Sequence, residues 1–327
     1  MIPLIVFMVT ASEPGDFADI QFKDWRVACD NVRQCRAGAA TPMPGGLVDS
    51  GPEGPTDTSL LIDRSGDPDA AAVVRIEQSG RRAERLAWHG AQDWIALQAL
   101  DSFNVPASDA SKLLTAMKRE QSLDLLDKTG RKIGAISLAG ANAALLWIDD
   151  KQHRIGTTTA LIRSGGIPSS SIPKPPPLPV VHAARPSRVA ALTPPMAVRR
   201  ALAKASSCDF GASPNDIEFD RLDAHHTMAL LICPESTDNP VGDVSVIDDT
   251  KPSQPTSPEI PLTDGQSWSW TPESHTLEDG MISHGFDCSY RDVFVWTGSA
   301  FETKEKFEIC PDSGKFFEYR ARVVYDR

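Results

Sequence analysis

Apolar and polar residues alternate along much of this chain. In Phe22-Lys-Asp-Trp-Arg-Val-Ala-Cys29 the side chains of Trp25, Val27 and Cys29 fall on one face, the period of two expected of a half-buried strand. Gly, Pro and Asp crowd residues 41–57 and predict an irregular loop, followed by strands at Ser59–Asp63 and Ala72–Ile76. The spacing then changes. Leu113, Leu114 and Met117 recur at helical intervals within Ser108–Glu120, with Pro106 just before and Ser108 as an expected cap. A strand over Ser122–Asp127 and a turn at Lys128–Arg131 lead to a second helix over Ala139–Asp150, whose Gly140 and alanines predict close packing on a sheet.

Residues 165–195 break this pattern. They carry Gly165-Gly166, Pro173, Pro175-Pro-Pro177, Pro179, Pro186 and Pro194-Pro195, a composition that favours semi-rigid polyproline II and buries little. Beyond them a short helix is expected over Met196–Lys204, leading into Cys208. Thr227–Cys233 is a continuous apolar run suited to a strand buried on both faces. Val293–Phe301 reads as a hairpin turning at Gly298, and Phe317–Tyr325 as an amphipathic strand. No repeat of fixed period is found. The pattern predicts a mainly β (α+β) protein of two antiparallel β-rich domains with a few short helices, residues 12–164 and 196–327, joined by a Pro-rich linker at 165–195.

The first 11 residues are an apolar run about half as long as the roughly 20 residues a membrane-crossing helix needs. Val9-Thr10-Ala11 before Ser12 matches a signal-peptidase site, so residues 1–11 are expected to be a signal peptide, although no Lys or Arg precedes the run. No cysteine follows it directly, as lipid anchoring would require. The expected location is periplasmic or secreted, with no membrane span. With 33 Lys and Arg against 44 Asp and Glu, the net charge is −11, which repels polyanions and argues against a nucleic-acid partner.

Six cysteines fit that compartment, two before the Pro-rich stretch and four after it. If the domains fold separately, Cys29 and Cys35 have only each other. Cys208, Cys233, Cys288 and Cys310 allow three pairings, of which the sequential one, Cys208 with Cys233 and Cys288 with Cys310, is the expectation taken here. Each bridge would stabilise by roughly 2–4 kcal/mol. No Cys-x-x-Cys turn suggests redox chemistry, and an oxidising compartment consumes the thiolates a metal would need, so neither a cofactor nor a metal is expected.

Two stretches carry a resemblance. Phe22–Asn31 with Cys35, and Ile136–Thr157 with its Asp149-Asp150-Lys-Gln152-His-Arg154-Ile-Gly156-Thr157 ending, resemble the bacterial family of unknown function numbered 1176 over nearly the whole chain. The first domain also resembles, more loosely, the invasion-associated locus B family, which shares a strand-Trp-Cys opening and a Gly-centred helix. These resemblances imply a secreted or periplasmic β-rich protein of uncharacterised activity, with a part in host contact implied by the second. They supply no catalytic residue.

Several groups invite chemistry. His225-His226 lies near Asp220 and Asp223, but neighbours in an extended chain face opposite sides, which favours a solvated turn. Asp149-Asp150 at a helix end diverge by about 100° and are expected to face water. Trp268 and Trp270 share a face in a strand; exposed, they and Trp296 would form an aromatic platform for a glycan or peptide, and buried they are core. No nucleophile elbow, zinc-protease helix, phosphate loop or dinucleotide fingerprint occurs.

The reading is therefore a monomeric, non-catalytic envelope module that binds an envelope or host macromolecule. Its rivals are a periplasmic hydrolase with His225 or His226 as base and a catalytic site assembled from distant residues, and a structural or stress-tolerance protein. The oxidised state is checked directly: alkylation of native protein without reductant should label none of the six cysteines, and mass spectrometry after reduction should find all six labelled.

Overall fold

The computed structural model describes residues 20–41, 56–209, 211–233, 241–261, 267–281, 288–310 and 314–326. The expected signal peptide lies outside them, as does most of the Gly/Pro/Asp loop. The first half runs β1 (Ile20–Phe22), β2 (Trp25–Cys29), β3 (Cys35–Ala40), β4 (Thr56–Arg64), β5 (Val73–Gly80), β6 (Arg85–Trp88), β7 (Asp93–Ala96) and β8 (Ser102–Asn104), then α1 (Ala107–Met117), β9 (Ser122–Leu126), β10 (Lys132–Ser137) and α2 (Ala141–Lys151). The second runs β11 (Val180–Ala183), α3 (Met196–Ala205), β12 (Ile217–Arg221), β13 (His226–Ile232), β14 (Gly242–Asp248), β15 (Trp268–Thr271), β16 (Thr276–Met281), β17 (Ser289–Trp296), β18 (Phe301–Cys310), β19 (Gly314–Arg320) and β20 (Arg322–Tyr325). The protein is mainly β, and all but one of the strand pairings are antiparallel.

Two sheets build the first half, ordered β1-β2-β3-β4-β5-β8 and β10-β9-β6-β7. Trp25, Val27 and Cys29 share the inward face of β2, as their alternation requires, and meet Leu86, Leu113, Leu123 and Leu145 in one core. The Trp25 indole is fully buried and donates its N–H to the Ser137 carbonyl at 2.9 Å, joining the two sheets. Gly140 opens α2 in a left-handed conformation, φ 98°, and a Cβ there would lie 1.7 Å from the Phe22 carbonyl oxygen. Only glycine lets α2 sit so close to the sheet. Ser108 proves to be inside α1: Pro106 is the N-cap residue, φ −53° and ψ 142°, and its ring has no acceptor to cap the first turn.

In the second half β13 is buried on both faces. Met228 and Leu230 join Phe294, Trp296 and Phe301 of the five-stranded sheet β15-β16-β17-β18-β19, while Ala229 and Leu231 pack beneath α3. Gly298 turns the β17–β18 hairpin with φ 101°. The expected last strand is two, broken at Ala321, whose N–H leaves the edge to reach the Lys304 carbonyl. Residues 165–195 contain β11, which pairs in parallel with β20, and Ile172, Val181 and Ala183 there are buried.

The outward face of β2 is covered too. Ala28 packs with Cys288, Cys310 and Phe316, and beside it the Arg26 Nη2 donates to both oxygens of Glu308 at 3.0 Å. Arg320 donates to Asp30 through Nε at 2.7 Å, its backbone exchanges two hydrogen bonds with the Asn31 amide, and Arg36 donates to the Lys315 carbonyl at 2.9 Å. Glu308 is 1% exposed, so its charge depends on Arg26. Glu308→Ala should leave that guanidinium under the second sheet without its main partner and lower stability by about 3 kcal/mol. Chemical denaturation should show this loss; a midpoint unchanged from wild type would mean the pair contributes nothing.

Candidate functional site

The cysteines form the bridges Cys29–Cys35, Cys208–Cys233 and Cys288–Cys310, and none is free. The first joins residues directly opposite in the β2–β3 register. Cys288 and Cys310 also lie within 4.8 Å of a Glu308 oxygen, but these sulfurs are bonded to each other and that carboxylate to Arg26, so the cluster is not a metal centre as it stands.

The two histidines separate as alternation requires: His225 is exposed and His226 turns inward at the β12–β13 turn. Asp223 organises this turn. Its Oδ1 accepts the N–H groups of His225 at 2.7 Å and His226 at 2.8 Å, and its Oδ2 lies 2.8 Å from His226 Nδ1 and accepts the Trp296 indole N–H at 2.7 Å. Burial opposes ionisation of Asp223, but hydrogen bonds from the His225 amide, the Trp296 indole and His226 overcome it and hold its pKa below the ordinary value of 3.8. This carboxylate fixes the ring of His226, as in a base–orienter pair.

Trp296 is therefore a core residue with a satisfied indole. Trp268 is buried as well, and Trp270 is half-buried with its ring edge-on to His275. The three tryptophans do not make an exposed platform. Their apolar area is spent between the two sheets of the second half, where a tryptophan gains most from burial.

Asp149 overturns another expectation. Asp150 is exposed, but Asp149 is fully buried; its oxygens accept the Leu161 and Ile162 N–H groups at 2.8 Å each and lie 3.5 Å from Arg64 Nη1. Fully buried Arg154 donates to the carbonyl of Pro68 and to Gln152, and the Gln152 amide donates to the carbonyls of Arg33 and Arg64. Burial and the nearby charge of Arg154 lower the Arg64 pKa to about 10, against the opposing pull of Asp149. The Asp149–Gly156 stretch is thus a buried polar clasp between the loop after α2 and the loop after β4.

Open space lies elsewhere. A groove of about 580 Å³ separates the β6–β7 hairpin from α1, lined by Trp88, His89, Asp93, Lys112, Thr115, Arg119 and Glu120 among others. Leu86, Trp88, Asp93 and Ile95 share the hairpin face toward α1, and Arg85, Ala87, Trp94 and Ala96 the other. Trp94 is 48% exposed, with the Arg85 guanidinium 4.6 Å above its ring. His89, Gly90 and Ala91 all adopt positive φ in the turn between β6 and β7, a conformation that costs the two non-glycine residues energy. Arg119 and Glu120 have no side-chain hydrogen bond or ion pair among the described residues. A second concavity of about 350 Å³, between α3 and β12–β14, is floored by Leu202, Ile217, Ala229 and Leu231 and rimmed by Ser206, Asp243 and Thr256. The sequence reading did not single out Trp94; the pointer was the turn His89-Gly90-Ala91 between two short alternating runs.

Two outcomes check these assignments. Asp149→Asn should cost about 3–5 kcal/mol, because it strips Arg64 of its buried counter-charge, whereas Asp150→Asn should stay within about 0.5 kcal/mol; equal effects would refute the clasp. Because the folded pKa of Asp223 is depressed, its contribution to stability is present above pH 3.8 and is lost as pH falls through the lower, folded value. Asp223→Asn should flatten the acid limb of the stability curve measured by thermal melting.

Among the described residues no helix is long and apolar enough to cross a membrane. No solved structure matches the chain. It is 30% identical over 181 residues to the uncharacterized protein YpfG of Escherichia coli (strain K12), a match covering 51% of this chain and 47% of that protein, so the chain spans about half the length of the relative it matches. A family model described as a protein of unknown function (DUF1176) matches residues 19–309, and the chain belongs to that family.

Proposed function

We propose that this protein is an exported, non-catalytic module that binds a macromolecule of the cell envelope or host through the surface of the β6–β7 hairpin. The observation that carries this reading is Trp94, a large aromatic side chain 48% exposed on the short β6–β7 hairpin with the Arg85 guanidinium over its ring, on the face opposite the one that lines the groove against α1. Tryptophan and arginine are enriched at binding hot spots; a tryptophan ring buries a large area on two rotatable bonds, and a guanidinium stacks on it while keeping its donors. The three disulfides support export to a periplasmic or secreted location. On this reading residues 12–164 are the binding unit, 165–195 the connection and 196–327 a disulfide-bonded companion in a monomer.

Trp94→Ala should weaken co-sedimentation with isolated envelope material by about 30-fold, the equivalent of a hot-spot loss near 2 kcal/mol, and leave the melting temperature unchanged. Binding equal to wild type would sink the assignment. A hydrolase is the second reading, favoured by the Asp223-oriented ring of His226. If it holds, His226→Ala abolishes ester or amide hydrolysis in a broad substrate screen while Trp94→Ala does not.

A further inference from the structure

The four-stranded sheet ends at β7, whose outer edge has no strand partner among the described residues. Some other edges are covered. β11 pairs beside β20, Thr256 exchanges two backbone hydrogen bonds with Val246 at the edge of β14, and β1 lies under α2, where Gly140 touches the Phe22 carbonyl. Asp93, Trp94 and Ala96 of β7 are exposed, and no strand lies along its outer edge among the described residues. Free edges are commonly blunted by Lys, Pro or a bulge; β7, four residues long with Asp93 at its start, has none of these three and displays a tryptophan.

We infer that β7 is a strand-addition site, where an extended polypeptide segment of a partner pairs with Asp93–Ala96 and sends alternate side chains to the two faces of the hairpin. This rests on the reading of the β6–β7 surface as the binding surface. The geometry specifies the ligand class. A strand laid along β7 projects its side chains with period two, one set beside Trp94 and Arg85, the other into the groove against α1. The first position favours an aromatic or apolar residue, which covers the Trp94 ring. The second favours a charged residue, because Arg119 and Glu120 stand in that groove without ion-pair partners among the described residues, whereas Lys112 is held by Asp109 at 2.9 Å and His89 lies 3.5 Å from Asp93. Main-chain hydrogen bonding at the edge demands a polypeptide; a glycan has no such ladder.

The test selects short random peptides on the purified full chain and then N-methylates the backbone of the best binder one amide at a time. Methylation at alternate positions should weaken binding by about tenfold while the intervening positions tolerate it, since only one phase of the ligand faces β7. Amide hydrogen exchange over residues 93–96 should slow on peptide binding. Arg119→Glu, which leaves two acids in the groove, should shift the groove-facing phase of the selected sequences toward Lys and Arg. The inference is overturned if no peptide is selected, if methylation has no alternation, if protection falls on the α3 groove, or if the exposed edge serves only to pair two copies of this chain, seen as concentration-dependent mass. Should Trp94→Ala still abolish binding to envelope material in any of those cases, the binding surface stands and only strand addition fails; if both tests fail, the reading of that surface goes too.

Discussion

Both faces of β2 are buried, and this constraint organises the molecule. Trp25, Val27 and Cys29 fill one face with the core of the first half, and Arg26 and Ala28 on the other must meet something that satisfies a guanidinium as well as a methyl group. The second half supplies both, an apolar patch of Cys288, Cys310 and Phe316 and the buried carboxylate of Glu308. Such pairs add little net energy over well-packed apolar residues, but an unpaired member is costly. They therefore act chiefly on which surfaces may meet: only a register that brings Glu308 to Arg26 and Arg320 to Asp30 leaves no buried charge alone.

The elements of this fold were largely legible because their periods are clean. The strand of Trp25, both early helices and the doubly buried strand ending near Cys233 all follow from local pattern and spacing, whereas the pairing Cys208–Cys233 and Cys288–Cys310, one of three that the sequence allowed, is settled only by the fold. The polar interior was not legible. Nothing local distinguishes Asp149 from Asp150; the choice is made by Arg64, 85 positions earlier, and by the two amides at residues 161 and 162. Trp296 was equally ambiguous, since its indole partner, Asp223, lies 73 residues away. Trp94 was missed for the opposite reason: a strand that leaves a tryptophan outside has the same alternation as one that buries it.

The stretch from Asp149 to Thr157 serves architecture. Its carboxylate, amide and guanidinium groups hold backbone carbonyls and amides of loops that have no ladder of their own. Buried loops need such partners, because each unpaired main-chain group costs roughly 1–3 kcal/mol. The surface proposed for binding lies on the β6–β7 hairpin, which such a requirement does not constrain.

Asp30 and Arg320 are 290 residues apart, and β11 meets β20 across nearly half the chain. During synthesis the first sheet therefore has to wait, with one side wet, until the closing strands emerge. Loop closure over such distances is slow, and a waiting sheet is open to wrong partners. Arg26 on that side gives the nascent intermediate a built-in guard: a cation there resists casual stacking of apolar strangers until Glu308 arrives to meet it, while Arg36 beside it is already paired with Asp63 of the same sheet and keeps that surface polar.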